Sequence, residues 1–188
     1  MVIRYLKDYE VLSVENFQEV SLEDRWKINE CIEESYLMSP LSQGNSEDGY
    51  NFAITVDNTL FFRHLYEKYV KLCYELFGGF NITPQNKSTC WCYRSNKELS
   101  LINWHNHLAT STINGVYYYQ IEKDGIAFER DGKEFYHVPQ QEELLIFPNN
   151  LNHKPEETTS ENWRYSINME ILTEESSSTL FNNLYGLS

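Results

Sequence analysis

Residues 113–138 read INGVYYYQIEKDGIAFERDGKEFYHV, and this run decides the fold class. Three β-rich stretches, 113–122, 125–130 and 133–138, are separated by Asp124-Gly125 and Asp131-Gly132. An Asp-Gly pair between such stretches reads as a two-residue hairpin turn, because both residues tolerate left-handed backbone. Residues 87–93 and 98–104 upstream and 143–148 and 163–172 downstream carry the same strand character. Seven short strands with tight turns predict a mainly β sandwich or jelly roll.

Toward the N-terminus the pattern becomes helical. Phe62, Leu65, Tyr66, Tyr69, Leu72, Cys73 and Leu76 recur at helical spacing within 58–77. Asp57 caps that helix and Gly78-Gly79 ends it. His64 falls among its polar residues. Residues 21–37 predict a second helix: Ser21 and Asp24 resemble a capping box, and Leu22, Trp26, Ile32 and Tyr36 roughly share a face. Residues 9–14 read as a strand, and 39–50 (SPLSQGNSEDGY) as a loop, the segment in which selectivity would be sought. Helices first and strands after predict helices packed on the outside of one sheet. The expected organisation is a single domain over 1–188: a helical and strand buttress at 1–80, a jelly-roll core at 81–172 and a tail at 173–188.

Composition bounds the partners. The 188 residues carry a formal net charge of -13, which disfavours general binding to nucleic acid or anionic membranes. No stretch approaches the ~18 apolar residues of a membrane span. No secretory signal opens the chain, so a cytoplasmic protein with free thiols at Cys31, Cys73, Cys90 and Cys92 is expected. Cys90 and Cys92 are spaced to pack on one strand face; without a second pair they make a poor metal site.

Chemistry concentrates in three segments. In Trp104-His105-Asn106-His107, two histidines at i and i+2 on a strand point the same way and can converge on one ion. In Glu143-Leu144-Leu145-Ile146-Phe147-Pro148-Asn149-Asn150-Leu151-Asn152-His153, a buried strand stops at Pro148 and a turn delivers His153. A third imidazole completes a facial set with other positions left open. In Trp163-Arg164-Tyr165-Ser166-Ile167-Asn168-Met169, alternation sends Arg164 and Ser166 to one face, where a guanidinium beside a hydroxyl makes a carboxylate clamp. His137, on a predicted strand, is the substitute should one of the three ligands fail; its simplest reading is an exposed residue.

Together these segments resemble the 2-oxoglutarate and Fe(II)-dependent oxygenase superfamily. The nearest likeness is to a bacterial and phage subgroup with His-x-His in place of His-x-Asp/Glu. The resemblance runs from about Trp91 to Ile171, through His105-Asn106-His107, Asn114-Gly115-Val116-Tyr117-Tyr118-Tyr119, Leu145-Ile146-Phe147-Pro148 with His153, and Arg164-Tyr165-Ser166. It implies a cupin-like double-stranded β-helix with flanking N-terminal helices. It further implies His105, His107 and His153 as ligands of Fe(II), and Arg164 and Ser166 on the distal carboxylate of 2-oxoglutarate, with Tyr93 a further candidate there. The implied reaction consumes O2, hydroxylates a C–H bond of an unidentified small-molecule or peptidyl substrate and releases succinate and CO2. Tyr117 and Tyr119 share a face and fit either the pocket or the core. The departure is His107 where a carboxylate is usual, which leaves the ion its full charge until the co-substrate dianion binds. Two rivals use the same fold: a three-histidine cupin-type dioxygenase or isomerase without 2-oxoglutarate, and a jelly-roll binding protein without catalysis.

Overall fold

The computed structural model describes residues 1–38, 51–53, 60–84, 89–97 and 103–184. Among these, ten strands form two antiparallel sheets. The larger comprises β1 (Val2–Leu6), β2 (Val11–Glu15), β3 (Asn51–Ala53), β4 (Cys90–Ser95), β5 (Ile113–Gln120), β8 (Leu144–Pro148) and β10 (Arg164–Ile171), in the order β1-β2-β8-β5-β10-β4-β3. The smaller is β7 (Lys133–His137), β6 (Ile126–Arg130) and β9 (Asn152–Pro155), in the order β7-β6-β9. The chain passes from β5 to β6 and β7, back to β8, across to β9 and back to β10. That alternation between sheets is the winding of a double-stranded β-helix.

Strand parity builds two cores from the same strands. Leu12, Val14, Tyr117, Tyr119, Leu144, Ile146, Ile167 and Met169 face outward from the barrel and bury against the helices. Val11, Val116, Tyr118, Leu145 and Phe147 face inward and meet Ile126 and Phe128 of the small sheet. Helix α2 (Leu60–Leu76) contributes Phe62, Leu65, Tyr69, Leu72 and Cys73 to the outer core, as its spacing predicts. It approaches β5 at Gly115, where a Cβ would lie 2.6 Å from the Tyr69 ring. The Tyr69 hydroxyl donates to the Ile113 carbonyl at 3.2 Å. Glycine there permits close packing of helix on sheet.

Several sequence expectations are corrected. Helix α1 (Leu22–Met38) has the Ser21–Asp24 capping box, with Asp24 N–H donating to Ser21 Oγ at 3.1 Å. Its buried stripe, however, is Ile28 and Ile32; Leu22 and Trp26 are 88% and 64% exposed. Polar anchors set that rotation: the Arg25 guanidinium binds Glu142 at 2.6 Å, and Arg94 and the Tyr165 hydroxyl both bind Glu33. Asp131-Gly132 is the expected hairpin turn, with both residues at positive φ (53° and 73°). Asp124-Gly125 is not a hairpin turn, because β5 and β6 lie in different sheets. The Asp124 carboxylate instead accepts from the Thr158 hydroxyl and so ties down the crossover. Strand β4 sits a few residues later than the 87–93 reading, and β1, β3, β9 and the short C-terminal helix α3 (Ser177–Asn182) lie outside the elements that the sequence predicts. The 39–50 loop, the Asp57 cap and most of the 98–104 reading lie outside the described residues. No helix among the described residues is long and apolar enough to cross a membrane.

Candidate metal centre

His105, His107 and His153 converge between the two sheets. One ring nitrogen from each lies within 4.8 Å of the others. The fold brings them together through backbone pairing. His153 sits on β9, opposite Phe128 of β6, rather than on a turn. His105 forms an isolated antiparallel bridge to His153 and belongs to no longer strand among the described residues. The His107 amide donates to the Asn149 carbonyl at 2.9 Å, and the turn that follows folds back on the His107 carbonyl.

The far nitrogen of each ring fixes which nitrogen is offered. His105 Nδ1 is 3.0 Å from the Asn103 carbonyl and His153 Nδ1 is 3.0 Å from the Leu151 carbonyl. A carbonyl can only accept, so both Nδ1 atoms carry the proton and both Nε2 atoms present lone pairs. His107 Nδ1 lies 2.8 Å from Oε1 of Glu170. His107 Nε2 and His153 Nε2 are 3.3 Å apart. Two nitrogens about 2.1 Å from one ion at a right angle would be roughly 3 Å apart. Burial, followed by the two neighbouring imidazoles, holds the His153 pKa well below its usual range, so this ring is neutral and ready to ligate.

A cavity of about 380 Å³ opens beside the three rings. Trp91, Tyr93, Val116, Tyr118, Ile126 and Pro155 line it together with Arg164, Ser166, Asn168 and the histidines. Arg164 is 3% exposed. Its Nε donates to the Ser95 hydroxyl at 3.0 Å and its Nη1 to the Glu156 carbonyl at 3.3 Å. Its Nη2 is buried and has no hydrogen-bond partner among the described residues. A buried unpaired guanidinium nitrogen is costly, and its placement on the cavity wall provides for an incoming acceptor. The Arg164 guanidinium carbon lies 5.9 Å from the Tyr93 ring centre. Ser166 pairs in register with Tyr93 on one side and Tyr118 on the other, so these side chains share the wall.

Other sequence candidates fall elsewhere. Tyr117 and Tyr119 are not pocket residues. They face the helices, and their hydroxyls donate to the carbonyls of Gln18 (2.6 Å) and Arg25 (3.0 Å). Strand parity puts Val116 and Tyr118 in the cavity instead. Cys90 and Cys92 are buried against the helices, and burial pushes the Cys90 thiol up to about 12. His137 is not a solvent-exposed residue; its Nε2 is 2.6 Å from Glu143 Oε1. Glu170, Tyr118, Ser95 and Trp91 escaped sequence reasoning, yet the signal existed: Glu170 lies an even number of positions after Arg164 on one strand, so the two share a face.

No protein-family model matches the sequence, and no curated protein matches it. Solved structures do. A prolyl hydroxylase from Trichoplax adhaerens, in complex with a hypoxia inducible factor oxygen degradation domain peptide, aligns over 97% of this chain and 89% of its own (TM-score 0.65, 14% identity). A Pseudomonas putida prolyl-4-hydroxylase aligns over 90% and 96% (TM-score 0.63, 12% identity). HygX from Streptomyces hygroscopicus, with nickel and 2-oxoglutarate bound, aligns over 92% and 87% (TM-score 0.65, 8% identity). At such identities the likeness is one of fold. The chain shares the double-stranded β-helix fold of these structures.

Proposed function

We propose that the protein is an Fe(II)- and 2-oxoglutarate-dependent oxygenase of the variant type whose second ligand is histidine, hydroxylating a C–H bond of its substrate with release of succinate and CO2. One observation carries the reading: a buried guanidinium with an unpaired Nη2 shares one cavity wall system with three convergent imidazoles. Metal alone would require the imidazoles. The cation needs a second reason, and the distal carboxylate of a dicarboxylate co-substrate supplies it.

In this reading His105, His107 and His153 hold the iron through Nε2, and Arg164 with Ser166 grips the distal carboxylate. Tyr118 and Tyr93 close that end of the pocket. The bound iron supplies activation of O2 coupled to decarboxylation of 2-oxoglutarate. The protein's part is positioning and dryness. Ser95 and the Glu156 carbonyl lock the guanidinium plane, and Trp91, Val116, Ile126 and Pro155 supply apolar wall beside the polar groups. The net charge of -13 disfavours polyanions as general partners, and the substrate class in this reading is a small molecule or a peptide side chain.

Anaerobic titration with Fe(II) and then 2-oxoglutarate tests this. A visible charge-transfer band is expected in the wild type and lost in Arg164→Met. Metal binding without the band in the wild type would instead mark a three-histidine oxygenase or isomerase that uses no 2-oxoglutarate. Failure to bind metal would leave only a jelly-roll binding protein.

A further inference from the structure

The three imidazoles are backed differently. His105 and His153 lean on backbone carbonyls, which are neutral. His107 leans on the carboxylate of Glu170 at 2.8 Å. Glu170 is 1% exposed, on the same face of β10 as Arg164 and Ser166. The Thr110 hydroxyl donates to the same Oε1 at 3.0 Å. That hydroxyl also lies 3.3 Å from the His107 carbonyl. The Tyr66 hydroxyl donates to the Glu170 backbone carbonyl at 2.9 Å, fixing the strand from the helix side. A carboxylate taken this far from water costs several kcal/mol to desolvate, so its position asks for a function.

We propose that Glu170 is the charge-balancing and positioning residue of the metal centre. By accepting the His107 Nδ1–H it holds that ring in the tautomer that presents Nε2. It also sets, one imidazole away from the ion, the negative charge that a carboxylate ligand would bring directly. His107 and Glu170 together thus do the work of the single carboxylate found at this position in the more usual ligand set. This rests on the metal-binding part of the reading above and is independent of 2-oxoglutarate.

The test is a two-by-two cycle of Glu170→Gln and His107→Asp on the full chain, read by anaerobic titration with Fe(II) and with Co(II), without co-substrate. Gln keeps the shape and removes the charge. In the native background Glu170→Gln is expected to weaken metal binding by roughly 10- to 100-fold and to alter the ligand-field spectrum of the bound Co(II), with the metal-free melting temperature little changed. In the His107→Asp background the ligand itself carries the charge, so the same substitution is expected to leave affinity unchanged or to raise it. An equal loss in both backgrounds would reduce Glu170 to a packing role and overturn the proposal, as would no loss in the native one. Should Glu170→Gln fail to fold, Glu170→Asp, which retracts the charge by one methylene, carries the same comparison: it is expected to weaken metal binding in the native background and not in the His107→Asp background. Wild-type protein that binds neither ion sinks both this inference and the oxygenase reading. Wild-type protein that binds metal but gives no band with 2-oxoglutarate sinks only the latter.

Discussion

His105 and His153 exchange a pair of backbone hydrogen bonds: His105 N–H donates to the His153 carbonyl at 3.0 Å and His153 N–H to the His105 carbonyl at 2.9 Å. Two ligand segments remote in sequence are thereby joined through backbone atoms that no substitution other than proline removes. Ligand geometry in this protein is a property of the sheet, and the imidazoles hang from it.

That separation predicts how a ligand variant will behave. His153→Leu replaces a buried ring, packed 4.7 Å from the Phe147 ring centre, with an apolar side chain that cannot coordinate. The backbone bridge stays. The metal-free melting temperature is expected to shift by only a few degrees. The stabilisation that wild-type protein gains from saturating Fe(II), about 2.7 kcal/mol at a hundred times Kd, is expected to vanish. Thermal melts with and without metal check both halves; a variant that still gains stability from metal would remove His153 from the ligand set.

Ser95 is fully buried, and its hydroxyl accepts from Arg164 Nε at 3.0 Å. It holds the cation at Nε and leaves the neighbouring Nη2 to an incoming acceptor. Ser95→Ala therefore loosens the guanidinium without removing it. The expected cost is about 1 kcal/mol, or roughly a fivefold rise in the 2-oxoglutarate Kd, with metal affinity unchanged. Arg164→Met is expected to abolish co-substrate binding altogether. Isothermal titration of the metal-loaded protein separates the three. Equal co-substrate affinity in Ser95→Ala would mean that the fork needs no support at Nε.

Tyr117 and Tyr118 are neighbours in sequence with opposite duties. Tyr117→Phe deletes the 2.6 Å bond to the Gln18 carbonyl and is expected to cost about 1 kcal/mol of stability while leaving 2-oxoglutarate binding intact. Tyr118 stands across from Ser166 on the cavity wall. Tyr118→Phe is expected to weaken 2-oxoglutarate and spare stability. Denaturant melts and co-substrate titrations on both variants should give crossed results. Parallel results would refute the division of the sheet's two faces.

The sequence revealed most where residue type was rare and spacing constrained. Histidine is scarce in this chain, so His105, His107 and His153 stood out, and Arg164 with Ser166 was legible from alternation. Legibility failed where one chemistry repeats. In a run of three tyrosines, alternation says that neighbours differ but not which faces the cavity; only the partner strands decide it. Glu170 hid for a related reason: among 28 acidic residues in this chain, a glutamate on a strand gives no sign of being buried. Helix α1 misled because its anchors are ionic. Arg25 and Glu33 fix its rotation through partners far along the chain, at Glu142 and Arg94, so its apolar residues alone could not report the buried face.

The last prediction concerns Glu143, which joins the two sheets. Its Oε1 accepts from the Ser13 hydroxyl at 2.7 Å and lies 2.6 Å from His137 Nε2, and its Oε2 accepts from the Gln140 amide at 2.8 Å. Ser13 belongs to the large sheet and His137 to the small one. Burial pushes the Glu143 carboxyl up, but the hydrogen bonds from His137, Gln140 and Ser13 and the attraction of His137 outweigh it, leaving the group below its ordinary 4.5. A depressed folded-state value means that the unfolded chain takes up the proton first as pH falls. The stabilisation is thus complete above about pH 4.5 and is lost as pH drops through the folded value. Glu143→Gln is expected to be less stable than wild type at neutral pH, to lose less stability on acidification below pH 4.5, and so to converge with wild type in acid. Urea melts at a series of pH values measure both curves. Parallel curves across that window would mean that Glu143 is not held ionised by its three partners, and that the link between the sheets owes nothing to its charge.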